Sequence, residues 1–167
     1  MKVDQFQGLD IVLVCGLQGS GKTHFARSFF QSNGRKRINR GELRKYLYEM
    51  THFGNSWKEE YFNETDEMLV KHVERRILEH FLHNDRKVLV DNTSVTYESR
   101  KNYVALANKM NKSIGVIFIN TSAEKCLERN RNKDDRVAEN VVTNLYAKIK
   151  LPDREEGFKE VLIVSDY

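Results

Sequence analysis

Residues 9–15 read LDIVLVC, an almost continuous apolar run, and pass directly into Gly16-Leu17-Gln18-Gly19-Ser20-Gly21-Lys22-Thr23. No other feature constrains the fold as tightly. So apolar a run is expected of a strand covered on both faces, and the segment after it matches G-x-x-x-x-G-K-[ST] in full. Glycine lets a backbone curl until successive N–H groups converge on one anion, and a helix starting where the loop ends adds its positive terminus. At this spacing Lys22 reaches the β- and γ-phosphates of a nucleoside triphosphate as a point charge, and Thr23 offers its hydroxyl to Mg²⁺. Gly16, Gly19, Ser20, Gly21, Lys22 and Thr23 are therefore the expected binding residues for ATP or another nucleoside triphosphate.

Further runs of the same kind occupy residues 88–90 (closed by Asp91), 114–119 (IGVIFI) and 161–164 (VLIV), and Arg37-Ile38-Asn39 is a candidate fifth, very short strand. Helical patterns fill the intervals: residues 22–30, 59–82, 97–110, a stretch opened by the capping-box sequence Thr121-Ser122-Ala123-Glu124, and 138–149, stopped before Pro152. The longest carries Phe62, Leu69, Val73, Ile77 and Phe81 as its expected inward stripe. Strands alternating with helices predict an α/β domain, with a mostly parallel sheet of about five strands and helices on both faces. With 167 residues, one proline and no Gly/Ser-rich tract, the chain is expected to be one domain spanning residues 1–167.

The 28 Lys and Arg against 24 Asp and Glu give a net charge of +4, which suits a polyanionic partner without requiring one. Cys15 and Cys126 have no metal-type spacing and make no disulfide scaffold, and His80 and His83 lack a third ligand. No run approaches the ~18 apolar residues needed to span a bilayer. The start at Met1-Lys2-Val3-Asp4-Gln5 lacks signal-peptide character, so a cytoplasmic protein with no membrane partner is expected.

Two groups complement the glycine loop. Asp91 ends a strand, a usual source of the carboxylate that holds a metal or its waters. Arg129, Arg131, Lys133 and Arg136 fall within eight residues and form a candidate lid, residues 129–140, able to close on developing phosphoryl charge. The alternative is a solvated basic face offset by Glu124, Glu128, Asp134, Asp135 and Glu139. The densest basic stretch is Arg35-Lys36-Arg37 with Arg40 and Arg44-Lys45; Phe53, Trp57 and Tyr61 follow, able to stack a base or to pack the start of the long helix.

In GLQGSGKTHFAR (residues 16–27), INRGELRKYLY (38–48), VDNTSVTYESR (90–100), CLERNRNKDDRVAENVV (126–142) and LPDREEGFKEVLIV (151–164), the sequence resembles polynucleotide 5′-kinases of the P-loop kinase group, the end-healing enzymes of phages, bacteria and animals. The resemblance implies a three-layer P-loop kinase fold with a basic helical lid. It implies transfer of the γ-phosphoryl group of ATP, with Mg²⁺, to a 5′-hydroxyl end of DNA or RNA. By it, Gly16 to Thr23 bind the donor, Arg44 grips a phosphate of the acceptor strand, with Arg40 and Thr93 beside it, and Asp91, Asn92 and Thr93 line the floor. Arg129, Lys133 and Arg136 then belong to the lid. Kinases of small metabolites and of aminoacylated tRNA share many of these pieces, so a small-molecule or nucleotide kinase is the alternative, and a non-catalytic ATP-binding module a third reading. Two positions depart from the pattern. Gly41 stands where the family carries its general-base aspartate; Glu42 is adjacent, but neighbouring residues point in different directions. Lys133 replaces a more usual lid arginine, keeping the charge without the two-pronged contact.

Overall fold

The computed structural model describes residues 3–134, 136–165 and 167. Met1 and Lys2 of the N-terminal start, Asp135 within the expected lid, and Asp166 lie outside that set. In chain order the elements are β1 (Ile11–Gly16), α1 (Lys22–Phe30), β2 (Lys36–Ile38), α2 (Arg40–Thr51), α3 (Glu64–His83), β3 (Val88–Asp91), α4 (Tyr97–Lys109), β4 (Ile114–Asn120), α5 (Ala123–Arg131), α6 (Glu139–Ala147) and β5 (Glu160–Ser165).

The described strands form one parallel five-stranded sheet in the order β2-β3-β1-β4-β5. β1 is central and buried along its whole length, as its uninterrupted apolar run demands. Right-handed crossovers explain where the helices lie. The step from β1 to β2 runs toward one edge, whereas β2 to β3, β3 to β4 and β4 to β5 run toward the other, so α1 must lie on the face opposite the remaining crossover helices. The core divides accordingly. Val12, Val14, Leu89, Ile117 and Ile119 meet Phe25, Ala26 and Phe30 of α1 together with Phe6. Ile11, Leu13, Val90 and Val116 meet Leu78 and Leu82 of α3, Leu106 and Ala107 of α4, Cys126 of α5 and Val142 of α6. The result is the expected three-layer α/β architecture.

Several local expectations need correction. The pattern over residues 59–82 is broken: a 3₁₀ turn at Glu59–Tyr61 precedes α3, which starts after Asn63, whose side chain accepts from the Asp66 N–H. The inward residues of α3 are Glu67, Val70, Glu74, Leu78 and Leu82, whereas Phe62 and Leu69 of the expected stripe are 42% and 48% exposed. Two carboxylates thus occupy inward positions, and counting apolar residues shifts the stripe. α2 was unforeseen because none of its residues is buried. α5 is capped by Ser122, which accepts from Lys125 N, while Thr121 instead donates to the Ser20 carbonyl at 2.9 Å. β5 is an edge strand with Ile163 40% exposed.

Candidate phosphate-binding site

The strands β1 and β3 are neighbours whose outgoing crossovers run in opposite directions, and in open α/β sheets such a switch point opens a crevice at the strands' C-terminal ends. Gly16 and Asp91 both lie at this crevice. The loop after β1 ends in Gly21, the left-handed N-cap of α1 (φ 96°). Gly19 is required by more than its φ of 82°: a Cβ there would stand 2.4 Å from the Cys126 carbonyl oxygen, so the loop packs directly on α5.

Lys22 is buried, and its Nζ donates to the Leu17 carbonyl at 3.1 Å, folding the ammonium back over the loop. Burial lowers its pKa, the nearby charge of Lys133 adds to that, and Asp91 acts in the opposite sense. The Thr23 hydroxyl donates to Asp91 Oδ2 at 2.8 Å. Asp91 is fully buried; Arg37 from β2 donates to the same oxygen through Nε at 3.0 Å and Nη2 at 2.7 Å. Asp91 Oδ1 and Ser20 Oγ are buried without a hydrogen-bond partner. Two such atoms, one in the loop and one on the carboxylate that receives Thr23, favour a ligand here, although Arg35 Nε is likewise buried and unpartnered. A hydroxyl, a carboxylate and phosphate oxygens are the hard donors that Mg²⁺ takes, one or two from protein and the rest from substrate and water, so Thr23 and Asp91 fit the expected ion.

Arg37 reaches further. Its Nη1 and Nη2 form a two-pronged pair with Glu42 at 3.1 and 2.9 Å. Asn39 ties the same corner together: its Nδ2 donates to the Asp91 carbonyl at 2.7 Å, and its Oδ1 caps α2 by accepting from Glu42 N at 2.9 Å. Arg37, Asn39 and Glu74 were not singled out by the sequence, Arg37 having figured there only as one of a basic run.

The arginines expected to meet an acceptor are engaged with α3. Arg40 donates to Glu74 at 2.6 Å and to the Tyr103 hydroxyl at 2.8 Å, and its main-chain N–H bonds Asn92 Oδ1 at 2.8 Å. Asn92 completes the cluster with Glu74 at 2.6 Å and Tyr103 at 2.8 Å; burial and then the Glu74 charge push the Tyr103 phenol up. Arg44 pairs with Glu67 at 2.8 Å and lies over the Phe62 ring at 5.5 Å. Thr93 is half-buried beside the loop, its carbonyl accepting from Gly16 N at 3.0 Å.

Of the residues expected on a lid, Arg129 touches the loop, its Nη1 donating to the carbonyls of Gly19 at 3.4 Å, Ser20 at 3.5 Å and Tyr167 at 2.9 Å. Lys133 and Arg136 are exposed, in the turn between α5 and α6, and Arg131 is paired with Glu139 at 2.6 Å. The aromatic group splits. Tyr48 is stacked on His52 and on Tyr61, with centroids 3.9 and 5.2 Å away, and Trp57 meets its edge at 5.3 Å. Phe53 is fully exposed. The rings of Tyr48, Trp57 and Tyr61 clasp α2 to the segment that precedes α3, and Glu59, Glu60, Glu64 and Asp66 lie in or next to that segment. Among the described residues no helix is long and apolar enough to cross a membrane.

Comparison with known proteins places this geometry. A family model described as an AAA domain matches residues 11–152. The L-seryl-tRNA(Sec) kinase of Methanococcus maripaludis is 22% identical over 142 residues, covering 85% of this chain and 53% of that protein. The bifunctional polynucleotide phosphatase/kinase of Schizosaccharomyces pombe is 24% identical over 157 residues, covering 91% of this chain and 32% of that protein. The chain thus spans about half and about a third of the length of these two relatives. Among solved structures, a sugar kinase from Janibacter sp. HTCC2649 superposes with a TM-score of 0.66 at 12% identity, over 94% of this chain and 85% of that one. That likeness is one of fold.

Proposed function

From the premise that this chain belongs to the AAA-domain family and has the P-loop kinase fold, we propose that it transfers the γ-phosphoryl group of ATP to a hydroxyl carried on a nucleic acid, a 5′-hydroxyl end of DNA or RNA. The observation that carries the phosphoryl-transfer part is the pair of unpartnered buried oxygens, Ser20 Oγ within the glycine loop and Asp91 Oδ1 on the carboxylate that receives Thr23, beside Lys22. In this reading the loop N–H groups and Lys22 hold the triphosphate, and Arg129 together with Lys133 and Arg136 closes on the transferring group. Thr23 and Asp91 would hold Mg²⁺, which would supply charge neutralisation for the phosphoryl group in transfer. Support for a nucleic-acid acceptor comes from the two curated relatives, whose names place the acceptor on a tRNA or a polynucleotide.

A small-molecule acceptor is the second reading, and one observation favours it. Arg40 and Arg44 are already neutralised by Glu74 and Glu67, which leaves less free charge for a strand. Purified protein with γ-labelled ATP and Mg²⁺, offered a 5′-hydroxyl oligonucleotide, its 5′-phosphorylated twin and a metabolite panel, separates the two. Label on the 5′-hydroxyl strand alone supports the proposal. Label on a metabolite and on neither strand overturns it in favour of the second reading, and ATP binding without turnover leaves only a binding module.

A further inference from the structure

Phosphoryl transfer to a hydroxyl needs a group that takes up the acceptor proton, and position 41, where a carboxylate was expected, offers no side chain. The neighbouring carboxylate is placed unexpectedly well. Arg37 Nη2 donates at once to Glu42 Oε1 at 2.9 Å and to Asp91 Oδ2 at 2.7 Å. Because one nitrogen serves both, the two carboxylates stand within about 6 Å of each other, the reach of two hydrogen bonds through a shared donor. Glu42 therefore lies beside the Thr23–Asp91 centre instead of pointing away along α2. Asp91 is fully enclosed, whereas the Glu42 side chain is 48% exposed, open to an incoming hydroxyl. A two-pronged guanidinium contact fixes the plane of a carboxylate as well as its position. Position 41 is exposed, and a Cβ there would meet only Asn39 Oδ1, the atom that caps α2, at 3.2 Å.

We propose that Glu42, oriented by Arg37, is the general base of this chain. This deepens the reading above and rests on it. As the acceptor oxygen bonds to the γ-phosphorus, the bond from that phosphorus to the β,γ-bridging oxygen breaks, ADP carries away the electron pair, and the acceptor proton passes to the Glu42 carboxylate and then to water. Arg37 is a positioning residue. The charged groups around Glu42 are Arg37 of β2, Asp91 of β3 and Lys45, which with the titratable but neutral Tyr46 follows on its own face of α2.

The test is ADP release at saturating ATP with Mg²⁺, followed against pH for the wild-type chain, Glu42→Gln and Glu42→Asp. Water serves first as sole acceptor, then the 5′-hydroxyl oligonucleotide. Glu42→Gln keeps the α2 cap, which uses the main-chain N–H of residue 42, so folding and ATP affinity are expected to hold. Its rate with either acceptor is expected to fall about 10²-fold or more, the usual worth of a positioned base, with loss of the acidic limb of the profile and partial recovery in Glu42→Asp. Wild-type rates in Glu42→Gln, a slower rate with the acidic limb intact, or no ADP release from the wild-type chain each overturn the inference. If the strand is refused while Glu42→Gln still abolishes transfer to water, the nucleic-acid reading fails and the role of Glu42 stands.

Discussion

Asp91 divides its two oxygens between structure and chemistry. Oδ2 receives Thr23 and Arg37, while Oδ1 is enclosed without a partner. A buried carboxylate is tolerated only when a cation offsets its lost hydration, and Arg37 is that cation. Arg37→Met is expected to lower stability by about 2–3 kcal/mol, less than for a fully enclosed pair because the guanidinium is a quarter exposed; the denaturation midpoint of the nucleotide-free protein measures it. Gly19→Ala puts a methyl against the Cys126 carbonyl at a φ of 82°. It is expected to cost on the order of 1–3 kcal/mol and to weaken ATP binding, seen together as a lower Tm and a weaker titration. At this scale the sequence displays the loop and Asp91 openly, because a fixed spacing after an apolar run is a local pattern. Arg37 is hidden in a basic run: nothing nearby tells which of those charges will meet a carboxylate 54 positions away.

Between elements, α3 is bound to α2 by charge. Glu67 and Glu74 are seven residues apart, two turns on one face, and they answer Arg44 and Arg40. Removing Glu74 strands Arg40, Asn92 and Tyr103 together. Glu74→Ala is expected to destabilise by about 3 kcal/mol or more, with early hydrogen exchange in α2, since no buried side chain of its own holds that helix. Hydrophobic periodicity could not show this. It locates helices by their apolar stripe, so α2, with no buried residue, escaped notice, and the acidic inward positions of α3 displaced the N-terminal part of its stripe, whereas Ile77 and Phe81 do pack against the core. The strands were legible because burial on both faces leaves an unbroken apolar run, and β2 was found within one residue despite its length of three.

Across the whole molecule, long-range polar ties pin the sheet ends. Asp10 accepts from Ser113 N and Oγ at 2.7 Å, joining the entrances of β1 and β4. Burial raises its pKa, but those bonds and the charges of Lys112 and Lys87 outweigh it and hold the group below its usual value of 3.8. A depressed carboxyl contributes stability that is complete above its ordinary pKa and is lost as pH falls through the lowered one. Asp10→Asn is therefore expected to flatten the acid limb of a stability–pH curve and to lower the plateau above it, the two proteins converging as pH falls below the depressed pKa. The crossover directions of the same sheet open the crevice between β1 and β3, where the glycine loop, Asp91 and Arg37 converge. The measurement closest to that convergence is a calorimetric titration of ATP, with Mg²⁺ and with a chelator, into the wild-type chain and Lys22→Met. Binding that tightens with Mg²⁺ and weakens about 10- to 100-fold in the variant, the worth of one charged hydrogen bond, is the expected result. Equal affinity in both proteins, indifferent to the metal, would contradict the account.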